Sequence, residues 1–289
     1  MTTCIAAVCQ LNKIPRVILC SDWKESTPHL GSSETADKFY RLTDRWVALG
    51  AGDSDAIDML IRAYKAHLST GIEVTDENIA QVMQGPLNQR KLEVSREYIW
   101  SRLAITYDDF LKMGKDRFPD DFFRDKLLEV EDLGPRARLL IAGFTGRNAQ
   151  ASPNIIETTH QWGIRLKENW ATIGSGEALA AASLFRCEYD SELEMMEAVY
   201  RVYEAKEATE KLPTVGEDTS LDVFGPQSHR ITWSDKGFKK FESLLKKYHP
   251  QIQKKDFIFD DSYFETSAHA EEPGLSIATA GEGGRKVVR

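Results

Sequence analysis

Thr2 is the residue with the most direct chemical potential. A small residue after the initiator Met normally lets Met1 be removed, and Thr2 would then carry a free α-amine beside its hydroxyl. A nucleophile and a base would share one residue, the arrangement that activates N-terminal threonine nucleophiles. The residues that follow, Cys4-Ile5-Ala6-Ala7-Val8, are apolar and β-prone and read as a buried strand. A chain end built into a sheet is held, whereas most termini fray. An ordinary edge strand beginning Met-Thr would look the same, so the residues elsewhere decide between the readings. Metal chemistry has no support: the 4 Cys (Cys4, Cys9, Cys20, Cys187) fall in neither CxxC nor Cys/His ligand spacing, and the 6 His show no HExxH pattern. Gly174-Ser175-Gly176 lacks the GxSxG pattern of a nucleophile elbow and is too short for a phosphate-binding fingerprint. Taken singly, Asp22 is a residue ending a strand and Lys38 a surface lysine.

The elements around these residues follow from hydrophobic period. A second strand is expected at Arg16–Ser21, after a turn spanning Gln10 to Pro15 and before a polar loop from Glu25 to Thr35. Lys38–Leu42 and Trp46–Gly50 are the next two strands. From Ser54 the period becomes helical, with Ile57, Leu60, Ile61, Tyr64 and Leu68 on one face, Asp53 or Ser54 as cap and Gly71 as the stop. Thr75 to Arg117 reads as mostly helical with a break at Gly85-Pro86, and Phe118-Pro119 opens another short helix. Strands are expected at Arg136–Gly143, Asn154–His160, Trp162–Leu166 and Trp170–Ile173. Two helices follow, from about Glu177 and from an Asp190-Ser191 cap. Thr219–Phe224 and His229–Trp233 form a last hairpin, and a basic amphipathic helix runs from Asp235 to His249. Strands and helix pairs thus alternate, which suggests stacked sheets covered by helices on both sides.

Composition narrows the partners. The formal net charge of −8 argues against wrapping nucleic acid. No apolar run is long enough to span a bilayer, and the start lacks the basic and apolar regions of a signal peptide. Cys4, Cys9 and Cys20 lie in strand-like runs and read as buried thiols, so the expected compartment is the cytoplasm.

Several stretches, in order, resemble the proteasome-type family of N-terminal nucleophile (Ntn) hydrolases. Thr2-Thr3 opens a strand. Val17-Ile18-Leu19-Cys20-Ser21-Asp22 is similar to the family's second strand with its terminal acid. Ala36 to Leu42 resembles the segment carrying the catalytic lysine, and Ala48 to Ala56 the glycine turn and helix start of the oxyanion hole. Ala171-Thr172-Ile173-Gly174-Ser175-Gly176 resembles the Gly-Ser-Gly turn, and Leu221 to Phe224 the late strand. The resemblance covers roughly Thr2 to Phe224. It implies an α+β fold, an αββα four-layer sandwich of two mostly antiparallel sheets. It also implies roles: Thr2 as nucleophile, Lys38 lowering the hydroxyl pKa, Asp22 balancing Lys38, a backbone N–H near Gly52 holding the oxyanion, and Ser175 orienting the amine. The glycine turn is a residue short, which leaves Gly50, Ala51 and Gly52 all as oxyanion candidates. The family's Asp and Ser after the fourth helix have no clear counterpart in Lys206–Thr214.

The expected organisation is an Ntn hydrolase domain over residues 1–233 with a helical insertion at about 77–133, a basic helix and extension over 234–267, and a flexible tail over 268–289. The expected function is a cytoplasmic threonine-type hydrolase of peptide or other amide bonds, needing no cofactor or metal. It would form a homo-oligomer, a ring or stacked rings, as the family does, with any ATPase partner unspecified. The alternative is a catalytically inactive proteasome-like subunit with a scaffold or regulatory role. The aromatic load of the insertion (Trp100, Phe110, Phe118, Phe122, Phe123) is expected to be covered either by a neighbouring subunit or by the Asp235–His249 helix.

Overall fold

A computed structural model of the chain describes residues 2–22, 25–27, 31–33, 38–146, 150–226, 230–248, 264–266, 278–280 and 285–287. The first hairpin is β1 (Thr3–Leu11) and β2 (Ile14–Asp22), paired antiparallel up to Leu11 opposite Ile14. Its turn is only Asn12-Lys13, both at positive φ, which matches the right-handed twist of the strands. The turn expected across Gln10–Pro15 is therefore mostly strand. A small hairpin, β3 (Glu25–Thr27) and β4 (Gly31–Ser33), stands where a loop was expected. Then come β5 (Phe39–Arg41), β6 (Trp46–Gly52) and four helices: α1 (Ser54–Leu68), α2 (Ile79–Leu103), α3 (Tyr107–Arg117) and α4 (Asp120–Glu131). Next are β7 (Ala137–Thr145), β8 (Ser152–Thr158), β9 (Ile164–Lys167) and β10 (Trp170–Gly174), then α5 (Glu177–Arg186) and α6 (Met195–Thr209). The chain continues with β11 (Thr219–Phe224), β12 (Arg230–Trp233), α7 (Asp235–Tyr248), β13 (Phe264–Thr266) and a hairpin of β14 (Ala278–Ala280) and β15 (Arg285–Val287). The rest of the tail expected over 268–289 lies outside the described residues.

Two antiparallel sheets carry the fold. One has six strands in the order β10-β1-β2-β11-β12-β13, the other five in the order β5-β6-β7-β8-β9. Alternation along each strand decides what faces what. Cys4, Ala6 and Val8 of β1, with Val17 and Leu19 of β2, pack on Val47, Leu49, Leu140, Ala142 and Ile155 of the other sheet. The opposite face of β1 and β2, with Ile5, Ala7, Ile18 and Cys20, packs on Ala198, Val202 and Ala205 of α6 and on Ala180 and Leu184 of α5. The outer face of the five-stranded sheet, with Trp46, Ala48, Leu139 and Ile141, packs on Leu60, Ile61 and Tyr64 of α1 and on Met83 and Leu87 of α2. Strands buried on both faces read as continuous apolar runs, as β1 and β2 do. The layers are helix, sheet, sheet, helix, and the architecture is α+β.

The helical section departs from expectation in two ways. α2 runs through Gly85-Pro86 without a break. A proline inside a helix costs about 3 kcal/mol, and here the surrounding burial of Val82, Met83 and Leu87 on α1 offsets it. Tyr64 OH donates to the Met83 carbonyl at 2.7 Å, and Gly85 makes room for the His67 ring, which would lie 3.2 Å from an added Cβ. The chain turns instead at Ala104, in the left-handed region at φ 53°. Secondly, the phenylalanines of the insertion cover one another. Ile99, Phe110, Phe123 and Val130 form a separate small core with Tyr98, Phe118 and Leu127 around it, and Phe110 and Phe123 have ring centroids 4.9 Å apart. α7 lies elsewhere, with Phe241 against Tyr200, Tyr203 and Trp233. Trp100 remains exposed, as do Leu111 and Leu128. After α5, the expected Asp190-Ser191 cap is a turn, and α6 begins at Met195.

Candidate active site

The two sheets bring Thr2, Asp22 and Lys38 together at one end of the sandwich. Thr2 immediately precedes β1. Asp22 is the last residue of β2, and Thr3 N donates to Asp22 Oδ1 at 2.9 Å. Lys38 immediately precedes β5, so it enters from the other sheet. Its Nζ donates to Asp22 Oδ1 at 2.9 Å and also to Thr2 Oγ1, while Thr2 Oγ1 donates to Asp22 Oδ1. Asp22 Oδ2 accepts the Gly216 N–H at 2.9 Å. All three side chains are buried.

Burial by itself would raise the Asp22 carboxyl pKa. The Lys38 charge and the hydrogen bonds from Lys38, Thr2 and Gly216 outweigh that and hold it below the usual aspartate range. Asp22 is thus a fixed negative charge, and Lys38 is a buried ammonium made tolerable by it. An ammonium donating to a hydroxyl oxygen favours loss of that hydroxyl's proton. Cys4 is the nearby thiol, donating Sγ–H to the Gly50 carbonyl at 3.5 Å. Burial pushes its pKa up to about 12 against the pull of Lys38, so it stays a protonated, weakly nucleophilic thiol.

The turn 174–176 is shaped to the start of β1. Thr3 pairs with Gly174, which sits at φ +101°, and a Cβ there would lie 2.1 Å from the Thr2 carbonyl oxygen. A Cβ on Gly176 would lie 2.0 Å from Thr3 Oγ1. Only glycine admits this approach. Ser175 Oγ donates to the Thr2 carbonyl oxygen at 3.3 Å and accepts from Thr214 Oγ1 at 3.1 Å. Ser175 is exposed, so solvent reaches the cluster's edge on that side.

Gly52 ends β6 on the same side as Lys38's strand, since Phe39 pairs with Leu49. It sits at φ +125° opposite Ala137, and a Cβ would lie 2.5 Å from the Arg136 carbonyl oxygen. No hydrogen bond joins Gly52 to the Thr2 cluster among the described residues; the link to β6 runs through Cys4 and Gly50. Of the expected site residues, Thr2, Asp22, Lys38 and Ser175 form one hydrogen-bonded group, and Gly52 stands outside it.

Sequence reasoning missed Thr214 and Gly216. Both lie in the loop after α6, tied down by Lys206. That fully buried side chain donates Nζ to the Glu217 carbonyl at 2.6 Å and to Glu210. Thr209 adds a link, accepting from Thr3 Oγ1 at 3.2 Å. Gly216 acts through its backbone and so leaves no side-chain signature. Among the described residues no carboxylate joins the Ser175–Thr214 pair, no group of three or more metal-binding side chains occurs, and no helix is long and apolar enough to cross a membrane.

Compared with known proteins, the chain matches no protein-family model and no curated protein.

Proposed function

We propose that the chain is a threonine-type Ntn hydrolase acting on peptide or other amide bonds, with the Ntn hydrolase fold. The observation that carries the reading is the bond from Lys38 Nζ to Thr2 Oγ1, with Asp22 balancing the lysine. In this mechanism Met1 is removed, and Thr2 gains a free α-amine with an ordinary pKa of about 7.7–8.0. Thr2 Oγ attacks the amide carbonyl carbon, and the amine takes the hydroxyl proton directly or through water. Lys38 stabilises the alkoxide character of Oγ. A backbone N–H at the Gly52 end of β6 holds the tetrahedral oxyanion, a role worth about 10²–10³ in rate for a single donor. The C–N bond then breaks, and the leaving amine receives the proton. The ester left on Thr2 Oγ is hydrolysed by water, which regenerates the hydroxyl.

Thr2→Ala tests this. Hydrolysis of a peptide-library substrate is abolished while the urea-unfolding curve remains cooperative; unchanged turnover excludes Thr2. The proposed enzyme works in the cytoplasm as a homo-oligomer, and light scattering coupled to gel filtration reads the assembly. One observation favours the second reading, an inactive scaffold or regulatory subunit: among the described residues no carboxylate bonds to the Ser175–Thr214 hydroxyls. A folded protein in which Thr2→Ala changes no reaction, and whose Thr2 is never acylated, fits that reading.

A further inference from the structure

Arg138 lies on β7 opposite Ala51, one residue beyond the Ala137–Gly52 pair. Leu140, Ala142 and Phe144, on the same face of the strand, fill the core between the sheets. The Arg138 guanidinium therefore occupies the end of that core, where its side chain is only 12% exposed. It meets carboxylates from two other elements there. Nη2 donates to Glu157 Oε1 of β8 at 2.6 Å, and Nη1 donates to Glu177 Oε2, with Nη2 reaching Glu177 Oε1 at 3.4 Å. Glu177 is the first residue of α5, directly after Gly174-Ser175-Gly176. Its carbonyl also accepts Thr172 Oγ1 at 3.2 Å.

The pair thus links β7 of the five-stranded sheet to the helix that follows β10 of the six-stranded one. Its β7 end is paired with β6, the strand that ends at Gly52, and at its α5 end is the turn whose Gly174 and Ser175 contact Thr2. Stability alone is a weak explanation for it. Arg138 Nε is buried with no hydrogen-bond partner, and a buried guanidinium is often replaceable by apolar packing at no loss. What the two-pronged fork supplies is direction, since a planar guanidinium fixes two carboxylates in one geometry where a lysine would not.

We propose that Arg138 and Glu177 are positioning residues of the Thr2 site, an ion pair that fixes the Ser175 turn against the Gly52 end of β6. The proposal rests on the hydrolase reading and extends it. The ion pair sets the spacing between the support of the nucleophile and the strand that takes the oxyanion. Displacements of about 1 Å at such a site cost up to about 100-fold in rate.

The test uses the full chain with E177Q, R138Q, the double variant and R138K. Two readouts are followed: hydrogen exchange of the amides in 174–177, and covalent labelling of Thr2 by a fluorescent β-lactone, which acylates a free hydroxyl nucleophile. Glu177 is partly exposed, so E177Q leaves the fold intact. Each single substitution speeds exchange in the turn. It lowers the labelling rate at saturating probe by between about tenfold and about 100-fold, with half-saturation unchanged. The double variant is no slower than the worse single, because the two residues act as one unit. R138K, which keeps the charge without the fork, recovers part of the loss. Singles that leave exchange and labelling unchanged overturn the proposal, and so do singles that lower the melting temperature while labelling per folded molecule is untouched. Absence of labelling in the unmodified protein defeats the hydrolase reading instead, and the exchange data still decide whether the brace exists.

Discussion

Lys38 Nζ lies 2.9 Å from Asp22 Oδ1, and the pair joins the two sheets, Asp22 ending β2 and Lys38 leading into β5. The side chains are 9% and 0% exposed, so each charge depends on the other. Breaking a buried pair by removing one partner costs about 3–5 kcal/mol. Lys38→Met is therefore expected to lose that much stability in urea unfolding at pH 7. It is also expected to lose about 100-fold or more in hydrolysis, the scale of one electrostatic group at a reacting centre. A loss below tenfold at full folding would remove Lys38 from the mechanism.

Acid titration isolates Asp22. Its folded pKa is held below the ordinary value of 3.8 despite burial, by Lys38 and by hydrogen bonds from Thr2 and Gly216. A depressed carboxyl contributes stability that is fully present above the unfolded pKa and lost as pH falls through the folded one. The stability gap between the unmodified protein and Asp22→Asn should be constant from pH 7 to about pH 5 and close below about pH 4. Chemical denaturation across that range measures it, and a gap that widens on acidification would mean that Asp22 is not held ionised.

Gly174→Ala puts a methyl group 2.1 Å from the Thr2 carbonyl oxygen, at φ +101°. Both the contact and the backbone angle are unfavourable, with strain of about 1–3 kcal/mol from the backbone alone. The expected result is a lower unfolding midpoint together with loss of turnover, since the displaced atom belongs to Thr2, the residue proposed as nucleophile.

Thr214→Val removes the hydroxyl that donates to Ser175 Oγ at 3.1 Å and keeps the side chain's shape. Stability should change by less than about 1.5 kcal/mol. Turnover should fall by about tenfold if this hydroxyl orients Ser175. Steady-state kinetics at saturating substrate, beside a melting curve, separates the two effects.

Much of this fold can be read in the chain because burial on two faces leaves plain apolar runs, as in Cys4–Val8 and Val17–Cys20, and because Ile57, Leu60, Ile61 and Tyr64 repeat with helical period. The grouping of Thr2, Asp22 and Lys38 was legible only through ordered family resemblance, since nothing local pairs residues 16 and 20 positions apart. Gly216 could not be foreseen, because its contribution to Asp22 is a backbone N–H set by the loop's path. Lys206 lies in a charged stretch, yet it is fully buried and pins that loop. Pro86 misled because local propensity says break, whereas the packing of α2 on α1 says continue. The insertion's phenylalanines pack among themselves across α3 and α4, which composition alone does not distinguish from an interface.

The most direct test is mass spectrometry of the purified protein's N-terminus before and after reaction with the β-lactone. Removal of Met1, with a single adduct on Thr2 that is absent in Thr2→Ala, is the expected result. Met1 retained on all of the folded protein, or an adduct that persists in Thr2→Ala, would contradict an N-terminal threonine mechanism, because a blocked amine leaves Thr2 without its base.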